Sequence, residues 1–499
     1  MSDAVDNAVS YTVVVPTTGR DNLFTLLHTL AHGRGPAPTE VLVVDDRPTS
    51  HAPEPLPLPE LGLPVRRLVS GGRGPAAARN VGWRAATTDW VAFLDDDVLP
   101  SQDWPARLVD DLVGLDADVA ASVARLVVPL PGDRRPTDDE RDTLALTEAR
   151  WITADMAYRR HTLIEVGGFD ERFPRAYRED ADLALRVRRA GRRIVQGERV
   201  TTHPPKSGGF LASVRRQRGN ADNALMRAKH GAGWRAEAGE GPGRLGRHAL
   251  ATVAGVSALV ALAARASKAA TLAGGLWVGL TTEFAVRRIV PGPRTLGEMA
   301  RMLVTSAMIP PTACAHRLMG EWRVRRGRAV LFDRDDTLIE DVPYLSDPEK
   351  VRPMPKAAEA VALLREAGVP VGVVSNQSGI ARGYITPEQL RAVTHRVDEL
   401  LGPFQTWQLC PHGPDDGCPC RKPRPTMVLR AAEELGVDIR RCVVIGDIGS
   451  DVEAALTAGA KAILVPTPRT LPHEIELARR YAVVAPDLPT AARIALGST

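Results

Sequence analysis

The tract that most constrains this chain is AVLFDRDDTLIE (residues 329–340), an apolar run that stops abruptly in Asp333, Asp335 and Asp336. Val330, Leu331 and Phe332 read as a buried parallel strand. Such a strand delivers the residues after it to the ligand-binding edge of an open α/β sheet. A carboxylate nucleophile and an acid/base carboxylate two residues on then share one turn, with a divalent cation offsetting their repulsion. An acidic loop or a helix cap is the competing explanation while the tract is taken alone.

Three later stretches of the chain weaken that alternative. VGVVS (371–375) is a second apolar run, ending in Ser375, Asn376 and Gln377, whose hydroxyl and amide groups suit a phosphate. Lys422 stands in CRKPRP, a lysine in an arginine-rich chain, where a compact cation is a specific choice. CVVIGD (442–447) is a third strand ending in acid, with Asp451 after it. In order these supply a nucleophile, a phosphate clamp, a counter-charge and metal ligands.

That series resembles the haloacid dehalogenase phosphatase superfamily over roughly the last third of the chain. SNQSGIARGY (375–384) with CRKP is similar to the subgroup containing the heptose bisphosphate phosphatases, with histidinol phosphatases as relatives. The resemblance implies that Asp333 forms an aspartyl-phosphate and that Asp335 protonates the leaving oxygen and then activates water. It assigns Ser375, Asn376, Arg421 and Lys422 to the substrate and its phosphoryl group. Asp333, the backbone carbonyl of Asp335, and Asp447 would hold Mg2+. One departure is Asp336, where this subgroup more often has glycine.

Between clamp and lysine lies CPHGPDDGCPC, which places Cys410, His412, Cys418 and Cys420 in a C-x-H-x5-C-x-C pattern. Three thiolates and an imidazole make a closed tetrahedral Zn2+ site. Three of the five cysteines fall in this loop, against the reading of scattered free or disulfide-bonded thiols. By the same resemblance the structural zinc shapes the substrate pocket and does no chemistry. Cys314 and Cys442 read as ordinary buried thiols.

The first half of the chain has its own acid-tipped strands. TVVVP (12–16) precedes a helical stretch from Asp21 to about His32, and EVLVVDD (40–46) ends in Asp45 and Asp46. A third strand spans 65–70, after a proline-rich loop at 53–64, and the alternation of strands and helices implies a parallel sheet. In SGGRGPAAARNVGW (70–83) glycines run into a helix carrying Arg79, and free amides at a helix start suit a diphosphate. WVAFL (90–94) then ends in Asp95, Asp96 and Asp97, suited to a metal that bridges two phosphates. Further on, GGFDERF (167–173) precedes Glu179 and Asp180 at the start of another helix, where capping alone would explain acids.

VVVPTTGR, VLVVDD, GPAAARNVG, FLDDD, and GGFDE followed by ED, in this order, resemble family 2 glycosyltransferases of the GT-A fold over roughly residues 10–230. The resemblance implies inverting transfer from a nucleotide-diphosphate sugar, with Asp180, beside Glu179, deprotonating the acceptor hydroxyl. Pro16, Asp45 and Asp46 would face base and ribose, Arg79 the nucleotide, and Asp95, Asp96 and Asp97 the ribose and an Mn2+ or Mg2+ ion. His203 in TTHPP would complete the metal site, against the plainer reading of a loop histidine. WITADMAYRR (151–160) stands where relatives contact the acceptor. The chain has no Q-x-x-R-W signature, which favours transfer of a single sugar.

The middle is less decisive. Residues 249–264 and 269–282 are almost free of charge but shorter than a span of about 20 residues. They suit a membrane-embedded hairpin, or helices packed against each other and the catalytic domains, and the balance tips slightly toward membrane association. Arg244, Arg247, Arg265, Lys268, Arg287 and Arg288 flag every boundary, so the positive-inside rule fixes no orientation from sequence. A helix lying in the membrane plane between 295 and 315 would serve the same end.

The expected architecture is therefore α/β: a GT-A transferase domain (1–240), a hydrophobic helical connector (241–325) and a Rossmann-like haloacid dehalogenase domain with a zinc loop (326–499). A net charge of +4 over 499 residues makes no case for a nucleic-acid partner. The N-terminal MSDAVDNAVS has no signal pattern, and thiols clustered as metal ligands fit a reducing cytoplasm, at the inner face of the cell membrane where association occurs. The expected function is bifunctional: sugar transfer to a hydroxyl acceptor, lipid-linked or soluble, plus Mg-dependent hydrolysis of a sugar phosphate of the heptose 1,7-bisphosphate type. The alternative is a phosphatase whose N-terminal domain only binds nucleotide-sugar or targets the chain.

Overall fold

The computed structural model describes residues 9–48 and 54–497; most of the N-terminal stretch read for a signal, and the first residue of the proline-rich loop, lie outside them. The chain divides into two compact units. One runs to Met226 and includes Gly233–Glu321; the other holds Arg227–Ala232 and everything from Trp322.

The first unit is built on a sheet of eight strands: β1 (Tyr11–Thr17), β2 (Glu40–Asp45), β3 (Val65–Val69), β4 (Trp90–Leu94), β5 (Leu99–Pro100), β6 (Val119–Val127), β7 (Asp155–Arg159) and β8 (Arg193–Thr202). Their order is β3-β2-β1-β4-β7-β6-β8-β5. The strands β3, β2, β1 and β4 pair in parallel, so Thr17, Asp45 and Leu94 end at one edge. Beyond β4 the expectation of a parallel sheet fails, because β7 pairs antiparallel with both β4 and β6. That reversal sets Asp155 opposite Leu94, where Arg199 from β8 pairs with it at 2.8 Å, both side chains fully buried.

Alternate residues of the parallel strands feed two cores. Val13, Val15, Val41 and Val43 pack under the helices Asn22–Ala31 and Trp104–Leu112. Val14, Leu42, Val44, Val91 and Phe93 pack under the helix Pro75–Ala85, and Gly82 on that helix lets it approach β1: a Cβ there would meet Val14 Cγ1 at 2.2 Å. Strands buried on both faces read as continuous apolar runs, which is why VVV and VLVV look as they do.

The same unit contains three long helices, Leu245–Ala263, Ser267–Ile289 and Leu296–Arg326, the last running past Glu321 into the second unit. The first two are long and apolar enough to cross a membrane. The third corrects the expectation of a helix lying free in a membrane plane. It runs through Pro310 and Pro311, and Met302, Thr305, Ser306, Ile309 and Ala313 form a buried stripe at helical spacing.

The second unit carries six strands, β9 (Ala329–Phe332), β10 (Val371–Asn376), β11 (Thr406–Cys410), β12 (Cys442–Gly446), β13 (Lys461–Leu464) and β14 (Val483–Val484), all parallel in the order β11-β10-β9-β12-β13-β14. The direction of winding reverses between β9 and β12, and ligands of open α/β sheets bind at such a switch point. One face is closed by helices Ala357–Glu366, Pro387–Leu401 and Leu488–Leu496, the other by Thr426–Leu435, Gly449–Ala458 and Pro472–Tyr481.

Candidate active sites

At the switch point of the second sheet, β9 hands Asp333 to the carboxyl edge, its amide donating to the Ile445 carbonyl of β12 at 2.9 Å. Lys422 reaches in from the loop after β11. Its Nζ lies 2.6 Å from Asp333 Oδ1, 2.6 Å from Asp451 Oδ1 and 2.9 Å from the Val374 carbonyl. The lysine is 4% exposed, so an ammonium sits in a dry pocket of carboxylates. Burial works against its charge, yet Asp333 and Asp451 hold its pKa above the ordinary lysine value.

Asp333, Asp447 and Asp451 each present an oxygen within 4.8 Å of the others. Burial pushes Asp333 up to about 7 against the pull of Lys422, and pushes Asp447 up to about 8 with Asp333 and Asp451 adding to it. Three buried acids that resist ionising together are a hard-oxygen donor set suited to Mg2+. Thr337 Oγ1 steadies Asp447 by donating to its carboxylate at 3.0 Å, and Thr470 Oγ1 donates to its backbone carbonyl at 2.6 Å.

Asp335 is held apart from this cluster. Arg334 Nε donates to it at 2.9 Å, and Gln377 Nε2 bridges it to Ser375 Oγ, 2.9 Å to each. Asn376 exchanges two bonds with the Lys422 backbone, locking the β10 loop to the lysine. The departure at Asp336 has a conformational meaning: its φ is +53°, a left-handed conformation that glycine accepts freely and Asp tolerates, and its carboxylate accepts the Asp341 amide at 3.1 Å. Arg334, Thr337 and Thr470 were not singled out by sequence; only Gln377, inside SNQ, carried a signal.

The cysteine loop closes on itself as spaced. Cys420 Sγ lies 3.2 Å from Cys410 Sγ, 3.6 Å from Cys418 Sγ and 3.3 Å from His412 Nδ1. These separations are far longer than a disulfide of ~2.05 Å. They approach the ~3.8 Å edge of a tetrahedron with ~2.3 Å metal–sulfur bonds. Arg421 turns back to donate to the His412 carbonyl at 3.2 Å, tying the loop to Lys422 beside it. Of the two remaining thiols, Cys442 is buried as expected and Cys314 is only half-buried, on one side of its helix.

In the first unit the acid cluster after β4 is also assembled. Thr17 Oγ1 donates to Asp96 at 2.7 Å, and Arg20 spans Asp96 and Asp97 at 3.0 and 2.8 Å. Lys206 Nζ reaches Asp97 at 2.9 Å, and His203 Nε2 stands 3.8 Å from it. Burial opposes the charge of Asp97, but Lys206, His203 and Arg20 hold its pKa below the ordinary value. Among the described residues no third His, Cys, Asp or Glu joins Asp97 and His203 in a metal-sized cluster.

Arg79 is 1% exposed and committed to two acids: Nη1 to Glu179 at 2.9 Å and Nη2 to Asp95 at 2.7 Å. Glu179 is pushed up to about 8 by burial and by neighbouring Asp180, and Asp180 is itself raised by burial. Asp180 stands at the start of the helix Glu179–Arg189, its carboxylate accepting the Ala181 amide at 2.7 Å. Asp45 pairs with Arg47 at 2.7 Å, while Asp46 accepts from Ser70 Oγ at 2.7 Å and from the Gly74 amide at 3.0 Å. An amide read as free for a diphosphate is thus occupied by Asp46. Pro16 is buried in β1 opposite Val44. In the acceptor segment, residues 155–159 are β7, with Met156, Ala157 and Tyr158 in the core, and Trp151 lies under Arg188.

The family model for glycosyl transferase family 2 matches residues 12–182, and that for HAD-like hydrolases matches residues 419–491. The D-glycero-beta-D-manno-heptose-1,7-bisphosphate 7-phosphatase of Pseudomonas aeruginosa is 40% identical over 143 residues, 28% of this chain and 80% of that protein. The enzyme of the same name from Yersinia pestis is 35% identical over 177 residues, 33% of this chain and 94% of its own length. Among solved structures, D,D-heptose 1,7-bisphosphate phosphatase from B. bronchiseptica, complexed with magnesium and phosphate, is 31% identical and covers 34% of this chain and 99% of that one, with a TM-score of 0.31.

Fold and sites together define an enzyme in two parts, a GT-A glycosyltransferase followed by a haloacid dehalogenase-type phosphatase. Through the second part the chain belongs to the D-glycero-beta-D-manno-heptose-1,7-bisphosphate 7-phosphatase family.

Proposed function

We propose that the second unit hydrolyses a sugar phosphate of the heptose 1,7-bisphosphate type through an aspartyl-phosphate on Asp333. The observation that carries this reading is Lys422, buried between Asp333 and Asp451 at the end of β9. An Asp333 oxygen attacks phosphorus, the bond to the sugar oxygen breaks, and Asp335 gives that oxygen its proton. Asp335 then takes a proton from water as the water attacks the phosphoryl group, freeing phosphate and restoring Asp333. Arg334 and Gln377 fix Asp335 for both transfers, while Ser375, Asn376 and Lys422 cradle the phosphoryl oxygens. Asp333, the Asp335 carbonyl and Asp447 would hold Mg2+, with Asp451 beside them, supplying charge neutralisation to the phosphoryl group. Zinc on Cys410, His412, Cys418 and Cys420 would fix the loop that carries Arg421 to the substrate.

For the first unit the proposed reaction is inverting sugar transfer from a nucleotide-diphosphate donor, with Asp180 as base. Asp97 and His203 would hold Mn2+ or Mg2+ against the donor's diphosphate, whose oxygens complete a two-residue ligand set. Arg79 orients Glu179 and Asp95 on either side of the site. The proposed functional divisions remain 1–240, 241–325 and 326–499, with a cytoplasmic location.

The test is phosphate release by the whole chain with magnesium, offered heptose 1,7-bisphosphate, histidinol phosphate and simple hexose phosphates. Selective turnover of the heptose bisphosphate, abolished by Asp333→Asn, is expected. Equal turnover of all three classes would refute the assigned substrate, and turnover unchanged in the variant would refute the assigned nucleophile.

A further inference from the structure

Two helices in the middle of the chain are bare where the helices of a soluble domain are covered. Leu245–Ala263 and Ser267–Ile289 fold back on one another, yet only 11% and 6% of their most apolar windows are buried. A long apolar helix that is not a membrane span is ordinarily a core helix or an N-terminal signal. These are neither, being exposed and in mid-chain. The buried positions are small, Ala251, Ala254 and Ala285, while Val253, Leu259, Leu262 and Leu272 are 62%, 69%, 67% and 77% exposed. Continuous apolar surface of this kind marks an interaction face.

Length and charge identify the occupant. At about 1.5 Å per residue the helices measure ~28 and ~34 Å, bracketing the ~30 Å hydrocarbon core of a bilayer. No charged residue falls in 249–264 or 269–282. At the turn stand Arg265 and Lys268; at the other end Glu283 gathers Arg244 at 2.6 Å, Arg247 at 3.3 Å and also Arg287. The helices touch through small residues, with Gly255 against the Trp277 ring, where a Cβ would come within 2.9 Å, and Gly274 facing Ala258. Close backbone approach over small residues is how helices associate in lipid, where no hydrophobic force drives them together.

The fold also supplies an orientation that the bare sequence lacks. Folding back collects Arg244, Arg247, Arg287 and Arg288 at one end and leaves two cations at the turn, so the positive-inside rule sets the four-arginine end in the cytoplasm. That end is tied to the transferase fold. Arg288 Nη2 pairs with Asp138 at 2.8 Å, and Arg141 and Arg135 each donate to a carbonyl at the end of the second helix, those of Arg288 and Val290, at 2.9 Å. Asp139, next in the chain, accepts the Gly208 amide at 3.0 Å, in the loop from which Lys206 reaches Asp97.

We infer that residues 245–289 are a two-pass bilayer anchor, entered and left on the cytoplasmic side at the Arg244 and Arg288 end. Two passes return the chain to the face it left. The loop linking the anchor's tie points to Asp97 favours an acceptor held at the bilayer surface; that corollary rests on the transferase reading, and the anchor does not.

The experiment is flotation of lysate membranes from cells expressing the full chain, after an alkaline carbonate wash. Phosphate release from p-nitrophenyl phosphate reports that the phosphatase is folded in each fraction. The wild type is expected to float and to survive the wash. A Leu259→Asp, Leu272→Asp double variant is expected to float about tenfold less, since a carboxylate at a helix centre opposes insertion, while releasing phosphate at the wild-type rate. A second readout is quenching of tryptophan emission by brominated lipid, lost in Trp277→Phe. Wild type left at the bottom of the gradient, soluble, aggregated or paired with a second copy, would overturn the anchor. So would wild type stripped by carbonate, or a double variant that floats as well as the parent.

Discussion

Lys422 Nζ and Asp333 Oδ1 lie 2.6 Å apart although 89 residues separate them in the chain. The contact joins the end of β9 to a proline-flanked loop across the face of the sheet. With Asp451 on its other side, the ammonium is the fixed positive charge in a pocket of three carboxylates. Lys422→Met leaves those acids uncompensated. Breaking a buried ion pair from one side costs about 3–5 kcal/mol. Urea unfolding in the absence of metal is expected to show that loss, and phosphate release is expected to fall by about 100-fold or more. Lys422→Arg is expected to rescue neither, because a planar fork does not fit a point-charge site.

Gly446, the residue before Asp447, has no room for a side chain: a Cβ there would meet the Asp451 carboxylate at 2.2 Å. Gly446→Ala is therefore expected to push Asp451 off Lys422 and to raise the magnesium concentration needed for half-maximal phosphate release. Substitution at Gly368, whose Cβ position faces open space but whose φ is +67°, is the control. Gly368→Ala is expected to cost stability only, with the magnesium requirement unchanged.

Glu179 gives the transferase unit a signed pH dependence. Burial raises its folded-state pKa from an ordinary 4.5 to about 8, so the folded chain binds a proton that the unfolded chain has released over that interval. Stability from this group is then present at low pH and lost as pH climbs toward 8. Glu179→Gln removes the titration. The difference in unfolding free energy between wild type and variant, followed by denaturant melts from pH 5 to 8, is expected to shift steadily in the variant's favour. A flat difference would mean that Arg79 keeps Glu179 ionised throughout.

The thiol loop makes a prediction about metal content. One zinc per chain is expected by elemental analysis, lost in Cys420→Ser, since Cys420 touches the other three ligands. Loss of zinc is expected to raise KM for the sugar phosphate more than it lowers kcat, because Asp333 and Asp335 lie outside the loop.

The range of each interaction decided whether it was legible in the sequence. Asp97, Asp333 and Asp447 were legible because each ends an apolar strand, and a parallel strand's end is a functional address. The cysteine cluster was legible because its ligands are close in sequence. Arg199 and Asp155 were not, for their pairing depends on β7 running antiparallel, and nothing in DMAYR states its direction. Nor was the fate of the Gly74 amide, claimed by Asp46 from another strand. The connector's orientation was hidden for the same reason: whether Arg244 and Arg287 share an end is a property of the turn at Arg265, whose φ of +55° folds the helices back.

Two separable active sites in one chain are the central claim. The direct measurement compares Asp333→Asn and Asp180→Asn for phosphate release from heptose 1,7-bisphosphate and for nucleoside diphosphate release from a panel of nucleotide-sugars, with solubilised membrane lipid as acceptor. Each variant is expected to lose one activity and keep the other. A wild type that releases phosphate but turns over no nucleotide-sugar, indistinguishable from Asp180→Asn, would contradict that claim and leave the first unit a binding module.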